Sequence, residues 1–221
     1  MTASTYIQLA DASHAFKSGD QLIRLFDDLN ITFQKGGMTS IVGASGAGKS
    51  SLLSIAAGLE VPKSGTVSFV KQGQTKTAEK FRQSTGFIFQ QFHLLPEMDA
   101  LNNLALPLRL KGIDGAFDTA AKWLNYIGLS DRAGHKPNQL SGGEQQRVAI
   151  ARAFVSKPDF IFADEPTGNL DVNTAANIAD LMFDCAQETD CGLVIVTHAK
   201  DLAKKADHQY RLAGGKLEVL S

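Results

Sequence analysis

The chain has 221 residues, 43% of them hydrophobic, and a formal net charge of −1. That length suits one large domain or a domain with an inserted lobe, and near-neutrality gives no global reason to expect a nucleic-acid partner. No run reaches the roughly 18–20 apolar residues that span a bilayer, no basic-then-apolar leader opens the chain, and Cys185 and Cys191 lack the spacing of a metal site; the expectation is a protein of the reducing cytoplasm that meets a membrane only through a partner.

In chain order, the first ~35 residues alternate apolar and polar positions, as in Ile7-Gln8-Leu9 and Leu29-Asn30-Ile31-Thr32-Phe33, which predicts antiparallel sheet. Gly36-Gly37 marks a turn. Thr66-Val67-Ser68-Phe69-Val70, after Ser64-Gly65, predicts a further strand of that sheet. Three other runs are short and mostly β-branched or aromatic: Ser40-Ile41-Val42, Phe160-Ile161-Phe162-Ala163 and Leu193-Val194-Ile195-Val196. They predict parallel strands buried on both faces. Ligands gather at the carboxyl ends of such strands, and each run is followed there by reactive residues: a glycine loop, Asp164-Glu165, and Thr197-His198. Asp99 to Asp131 reads as helical. Within it, Ala116 to Tyr126 has an apolar pattern through Phe117, Ala120, Ala121 and Leu124, with Trp123 as a packing residue. The expectation is an α/β core carrying an inserted helical lobe at about residues 91–156. His14, His93, His135 and His208 are scattered and read as surface or packing residues.

Gly43-Ala44-Ser45-Gly46-Ala47-Gly48-Lys49-Ser50 fits G-x-x-x-x-G-K-S. Glycines let the backbone wrap an oxygen-rich anion with its N–H groups turned inward. The helix starting near Lys49 adds its positive end. Lys49 is placed for the β- and γ-phosphates and Ser50 for Mg²⁺; a chance glycine turn is the bland alternative. Asp164-Glu165 closes a buried strand, where two carboxylates need a cation. Asp164 suits Mg²⁺, and Glu165 suits a base acting on water; a helix N-cap pair before Pro166 is the alternative.

Leu140-Ser141-Gly142-Gly143-Glu144-Gln145-Gln146 opens with a good N-cap and a capping box, Ser141 with Glu144. A helix N-terminus of small residues is also an anion site. The phosphate loop already has its own helix, so this second site needs a γ-phosphate from elsewhere. With these residues together, the chain resembles an ABC-type ATPase, the nucleotide-binding subunit of ABC transporters, over nearly its whole length. Gly43 to Ser50 is similar to the Walker A loop, Phe160 to Glu165 to Walker B and Leu140 to Gln146 to the ABC signature. Gln90 is similar to the Q-loop glutamine, Gly168-Asn169-Leu170-Asp171 to the D-loop and His198 to the switch histidine.

The resemblance implies a single cassette over residues 1–221: a P-loop NTPase core with a mostly parallel sheet, an N-terminal antiparallel β subdomain and an inserted helical subdomain. It implies ATP and Mg²⁺, with Ser50, Asp164 and Gln90 at the metal. Glu165, His198 and Gln90 would be catalytic. Phe16 would stack on adenine, though tyrosine is common there. Gly43, Ala44, Ser45, Gly46, Ala47, Gly48, Lys49, Ser50 and Ser51 would hold the nucleotide. Two copies would face head to tail, so that Ser141, Gly142, Gly143 and Asp171 serve the partner's ATP. Ser51 and Ala199 depart from the common threonine and aspartate, without removing a phosphate or metal contact.

Gln90 to Pro96 and Asn102 to Leu108, with Ala163 to Asp171, resemble one subgroup: lipoprotein-release, macrolide-export and cell-division ATPases and YbbA-like proteins. This implies a permease with few membrane helices and a large extracytoplasmic domain, docked near Gln90 to Pro107. The cassette would then sit on the cytoplasmic face of the inner membrane, driving export or extraction of lipid-linked or hydrophobic substrates. The alternative is a soluble ABC ATPase acting on ribosomes or DNA. A monomeric P-loop kinase is disfavoured by the Ser141 to Gln146 motif.

Overall fold

The computed structural model describes residues 4–19 and 21–220. The chain opens with two long strands, β1 (Tyr6–Ser18) and β2 (Gln21–Gln34), paired antiparallel. Alternation sends Ile7, Leu9, Ile31 and Phe33 to one buried face, as a period of two requires. β3 (Met38–Val42) leads into α1 (Lys49–Ala56). Next come β4 (Ser64–Lys71) and β5 (Gln74–Lys76), which complete a four-stranded antiparallel sheet ordered β2-β1-β4-β5. The expected strand at Thr66 to Val70 lies within β4.

The short α2 (Ala78–Arg82) precedes β6 (Thr85–Phe89). Then follow α3 (Ala100–Leu110), α4 (Ala116–Tyr126) and α5 (Gly142–Phe154), with single 3₁₀ turns between α4 and α5. β7 (Phe160–Asp164), α6 (Val172–Glu188), β8 (Gly192–Thr197), α7 (Lys200–Ala203), β9 (His208–Ala213) and β10 (Lys216–Val219) complete the chain. The second sheet is ordered β10-β9-β3-β8-β7-β6. β9, β3, β8, β7 and β6 run parallel, and only β10 is antiparallel to its neighbour. The three buried apolar runs of the sequence are therefore its adjacent central strands. Every residue of β8 is buried, as expected of a strand covered on both faces.

One core fills the space between the two sheets around α1, with Phe26, Phe33, Phe81, Phe160 and Phe162. A second packs α6 against the opposite face through Ile178, Met182 and Cys185. A third joins α3, α4 and α5. In α4 the buried residues are Ala116, Ala120 and Leu124, followed by Ile127. This corrects the expected stripe: Phe117 is 44% exposed and Ala121 also faces outward. Phe117 instead lies under the Arg109 guanidinium, 5.5 Å from the ring centre. Spacings of three and four select one face, and 117 and 121 lie to one side of it. Buried Asn103 ties the loop before α3, accepting from Leu95 N at 2.8 Å and donating to Leu95 O, Met98 O and Asp99 O at 3.0–3.1 Å.

His14 is the packing residue expected, stacked on Phe26 with ring centres 6.0 Å apart. It is 5% exposed, with Nε2 3.0 Å from Glu60. His93 has a left-handed backbone, φ 47°, and lines a cavity of about 820 Å³. Both cysteines are free and buried, and burial pushes each thiol up to about 12; they are inert thiols at neutral pH. Among the described residues no helix is long and apolar enough to cross a membrane.

Candidate functional site

β3, β7 and β8 end side by side, and the loops leaving them meet in a cavity of about 820 Å³. The phosphate loop forms its floor. It turns through Ala47 N donating to Ala44 O at 3.2 Å and passes left-handed through Gly48, φ 94°, into α1. A Cβ on Gly48 would lie 2.9 Å from the Leu25 Cβ, so side-chain space and backbone conformation both demand glycine. The first turn of α1 holds no acidic residue, which leaves its positive end for an anion. Lys49 is 8% exposed. Its amine donates to Gly43 O at 2.9 Å and Ala44 O at 3.1 Å and stands 3.8 Å from Glu165 Oε1.

Asp164 ends β7. Its carboxyl is raised above the ordinary range, first by burial and then by neighbouring Glu165. A hydrogen bond with Ser50 and the Lys49 charge oppose that shift. No group of three or more His, Cys, Asp and Glu able to hold a metal occurs among the described residues. The paired hydroxyl and carboxyl of Ser50 and Asp164 nevertheless fit Mg²⁺, which takes few protein oxygens and completes its shell with water and phosphate. Gln90 follows β6, its side-chain amide donating to Asn169 Oδ1 at 3.0 Å while Asn169 Nδ2 donates back to Gln90 O at 3.1 Å. Glu165 Oε2 lies 2.9 Å from His198 Nδ1.

The cavity wall thus gathers Phe16, Gly43, Ala44, Ser45, Gly46, Gly48, Lys49, Ser50, Ser51, Gln90, Asp164, Glu165 and His198. Phe16, one of the lining residues, is 45% exposed. Ala47 is not on the wall. Leu25, Phe89, Gln91 and His93 are; Gln91 and His93 lie in the run from Gln90 to Pro96 that the subgroup resemblance rests on, but none of the four was expected at the nucleotide. Asn169, noted only as part of a motif, turns out to hold Gln90.

Ser141, Gly142, Gly143 and Asp171 are not part of that wall. Ser141 caps α5 in a reciprocal capping box, its Oγ accepting from Glu144 N at 3.3 Å and its N–H donating to Glu144 Oε2 at 2.8 Å. Asp171 caps α6, accepting from Thr174 N at 3.1 Å. Gly143 faces a separate cavity of about 330 Å³. A Cβ there would lie 2.8 Å from Thr174 Cγ2, so glycine lets the starts of α5 and α6 close together. Within one chain, therefore, the starts of α1 and α5 do not share a cavity.

Residues 26–168 match the ABC transporter family. The lipoprotein-releasing system ATP-binding protein LolD of Bordetella avium is 44% identical over 93% of this chain and 92% of its own. That of Rickettsia felis is 40% identical over 98% and 99%. The ATP-binding cassette MJ0796, solved as a dimer bound to ADP and Pi, superposes with a TM-score of 0.83 at 36% identity, over 97% of this chain and 99% of that one. A second dimeric structure of MJ0796 gives 0.84. By this family match, and by relatives at this identity along almost its full length, the chain belongs to the ABC transporter family as an ATP-binding and ATP-hydrolysing cassette.

Proposed function

We propose that this cassette is the motor of a transporter for lipid-linked or hydrophobic substrates and works as a head-to-tail pair. The carrying observation is the separation just described: the cavity with Lys49 and Glu165 contains nothing from residues 141–143. Ser141, Gly142, Gly143 and Asp171 then meet the nucleotide held by the second copy. In our reading residues 1–221 form one nucleotide-binding domain, with a helical subdomain at about 91–156.

Each residue has a part in the reaction. Phe16 stacks on adenine. The backbone of Gly43, Ala44, Ser45, Gly46, Ala47 and Gly48, with Ser50 and Ser51, cradles the phosphates. Lys49 exchanges its two carbonyl partners for phosphate oxygens. Ser50, Asp164 and Gln90 would hold Mg²⁺, which when bound offsets phosphate charge. Glu165 takes a proton from water as the water oxygen bonds to the γ-phosphorus; the bond to the bridging oxygen breaks and ADP leaves with the electron pair. His198 donates to the γ-phosphate. General-base action of this kind contributes about 10²–10⁴-fold.

The permease contact is assigned to the segment from Gln90 to Pro107, where Leu95 is 38% exposed. Arg152 fixes the start of this segment, donating to His93 O at 2.7 Å and Phe92 O at 3.1 Å. The names of the LolD relatives support lipoprotein release as the substrate class, and a seat on the cytoplasmic face of the inner membrane follows from a permease partner. Purifying the native complex from detergent-solubilised membranes tests this. Co-purification of a permease with few membrane helices and a large extracytoplasmic domain is expected; co-sedimentation with ribosomes or DNA instead would overturn it.

A further inference from the structure

We propose that Thr197 is a positioning residue for Glu165: its buried hydroxyl pins Oε2, leaving Oε1 as the oxygen that accepts the proton from water. This rests on the reading of Glu165 as the base. Glu165 follows the end of β7 with a left-handed backbone, φ 46°, its N–H bonded to Val196 O at 2.9 Å. A non-glycine residue in that region stores strain and needs its surroundings to hold it.

The two carboxylate oxygens differ sharply. Oε2 faces three donors: Thr197 Oγ1 at 3.0 Å, His198 N at 3.2 Å and His198 Nδ1 at 2.9 Å. The near neighbour of Oε1 is Lys49 Nζ at 3.8 Å, beyond hydrogen-bond range. The donors differ as well. The His198 side chain is 69% exposed, so it is the less confined of the two side chains on Oε2. Thr197 is fully buried at the end of β8. Its hydroxyl accepts from Ala199 N at 3.0 Å, so its single proton is directed to Glu165. β-Branching stiffens its rotamer. Thr197 is therefore the more firmly fixed of the two side chains that hold the carboxylate.

Thr197→Val keeps the shape and removes the hydroxyl. Expected are a kcat lower by about tenfold, a KM for ATP within about twofold, and recovery to within about threefold in Thr197→Ser. Affinity for a fluorescent ATP analogue and the melting temperature of the nucleotide-free chain should stay near wild type. On size analysis with Mg-ATP, the valine variant should retain more dimer than wild type. If the valine variant does not fold, Thr197→Ala measured against Thr197→Ser gives the same comparison. Wild-type kcat without the hydroxyl, a loss confined to KM, or no recovery with serine would overturn the proposal. Glu165→Gln separates the two readings. If it stays active, the base assignment falls and Thr197 with it; if it is inactive while Thr197→Val is normal, only Thr197 falls.

Discussion

At the scale of single residues, Lys49, Asp164 and Glu165 are held by contacts that substrate binding must rearrange. Lys49 has two carbonyl partners, and Glu165 Oε1 stands 3.8 Å away, beyond hydrogen-bond range. Lys49→Ala is expected to weaken ATP binding by tenfold or more, since a charge-assisted bond to phosphate is worth about 1.5–3 kcal/mol; titration with a fluorescent analogue measures it. Glu165→Gln should bind ATP normally yet lose roughly 10²-fold or more in turnover, accumulating an ATP-bound dimer by light scattering. Asp164 shows a cost of function. Burial disfavours its carboxylate more than Ser50 and Lys49 compensate. Asp164→Asn should therefore raise the melting temperature of the nucleotide-free chain while removing Mg²⁺-dependent hydrolysis; calorimetry and a phosphate-release assay test the two halves. These residues were legible from their motifs. Leu25 was not, because it reaches the cavity wall through the path of a distant strand, β2.

At the scale of elements, the capping box of α5 gives a pH prediction. The Glu144 carboxyl is held below its ordinary 4.5, first by the Ser141 N–H and then by the Ser141 hydroxyl. A depressed carboxyl stabilises the fold above 4.5, and that contribution is lost as pH falls through the depressed value. Glu144→Gln should thus cost about 0.5 kcal/mol near neutrality, with the difference from wild type shrinking in acid; urea unfolding across pH reads it. The α5–α6 contact gives a steric one. Gly143→Ala should lower the melting temperature, and Thr174→Ser, which removes the opposing methyl at 2.8 Å, should restore part of it. Not every element was legible. β9 and β10 were missed because Arg211, Lys216 and Glu218 interrupt their apolar alternation, as suits an edge hairpin exposed to water. The α4 stripe was displaced because Phe117 is apolar in composition yet spends its ring on Arg109 rather than on the core.

For the molecule as a whole, the proposed head-to-tail pair makes a prediction about Ser141. Ser141 lies outside the cavity of its own Lys49, so Ser141→Arg should leave ATP affinity of the dilute monomer within about twofold while abolishing hydrolysis in the pair. Loss of binding in the monomer would count against a shared site. The sequence by itself determined the chemistry: a glycine loop for an anion, carboxylates ending an apolar strand, a capped helix of small residues, and the order of motifs that marks the family. These are local features, because loop conformation, helix caps and strand burial depend on neighbours a few residues away. Tertiary structure alone decided which of these features meet. Thr197 reaches Glu165 across 32 residues because β8 lies between β3 and β7, and strand order is a property of packing that no short pattern encodes. The same packing keeps Ser141 off the cavity that Lys49 lines, and on that separation rests the proposal that a second copy completes the site.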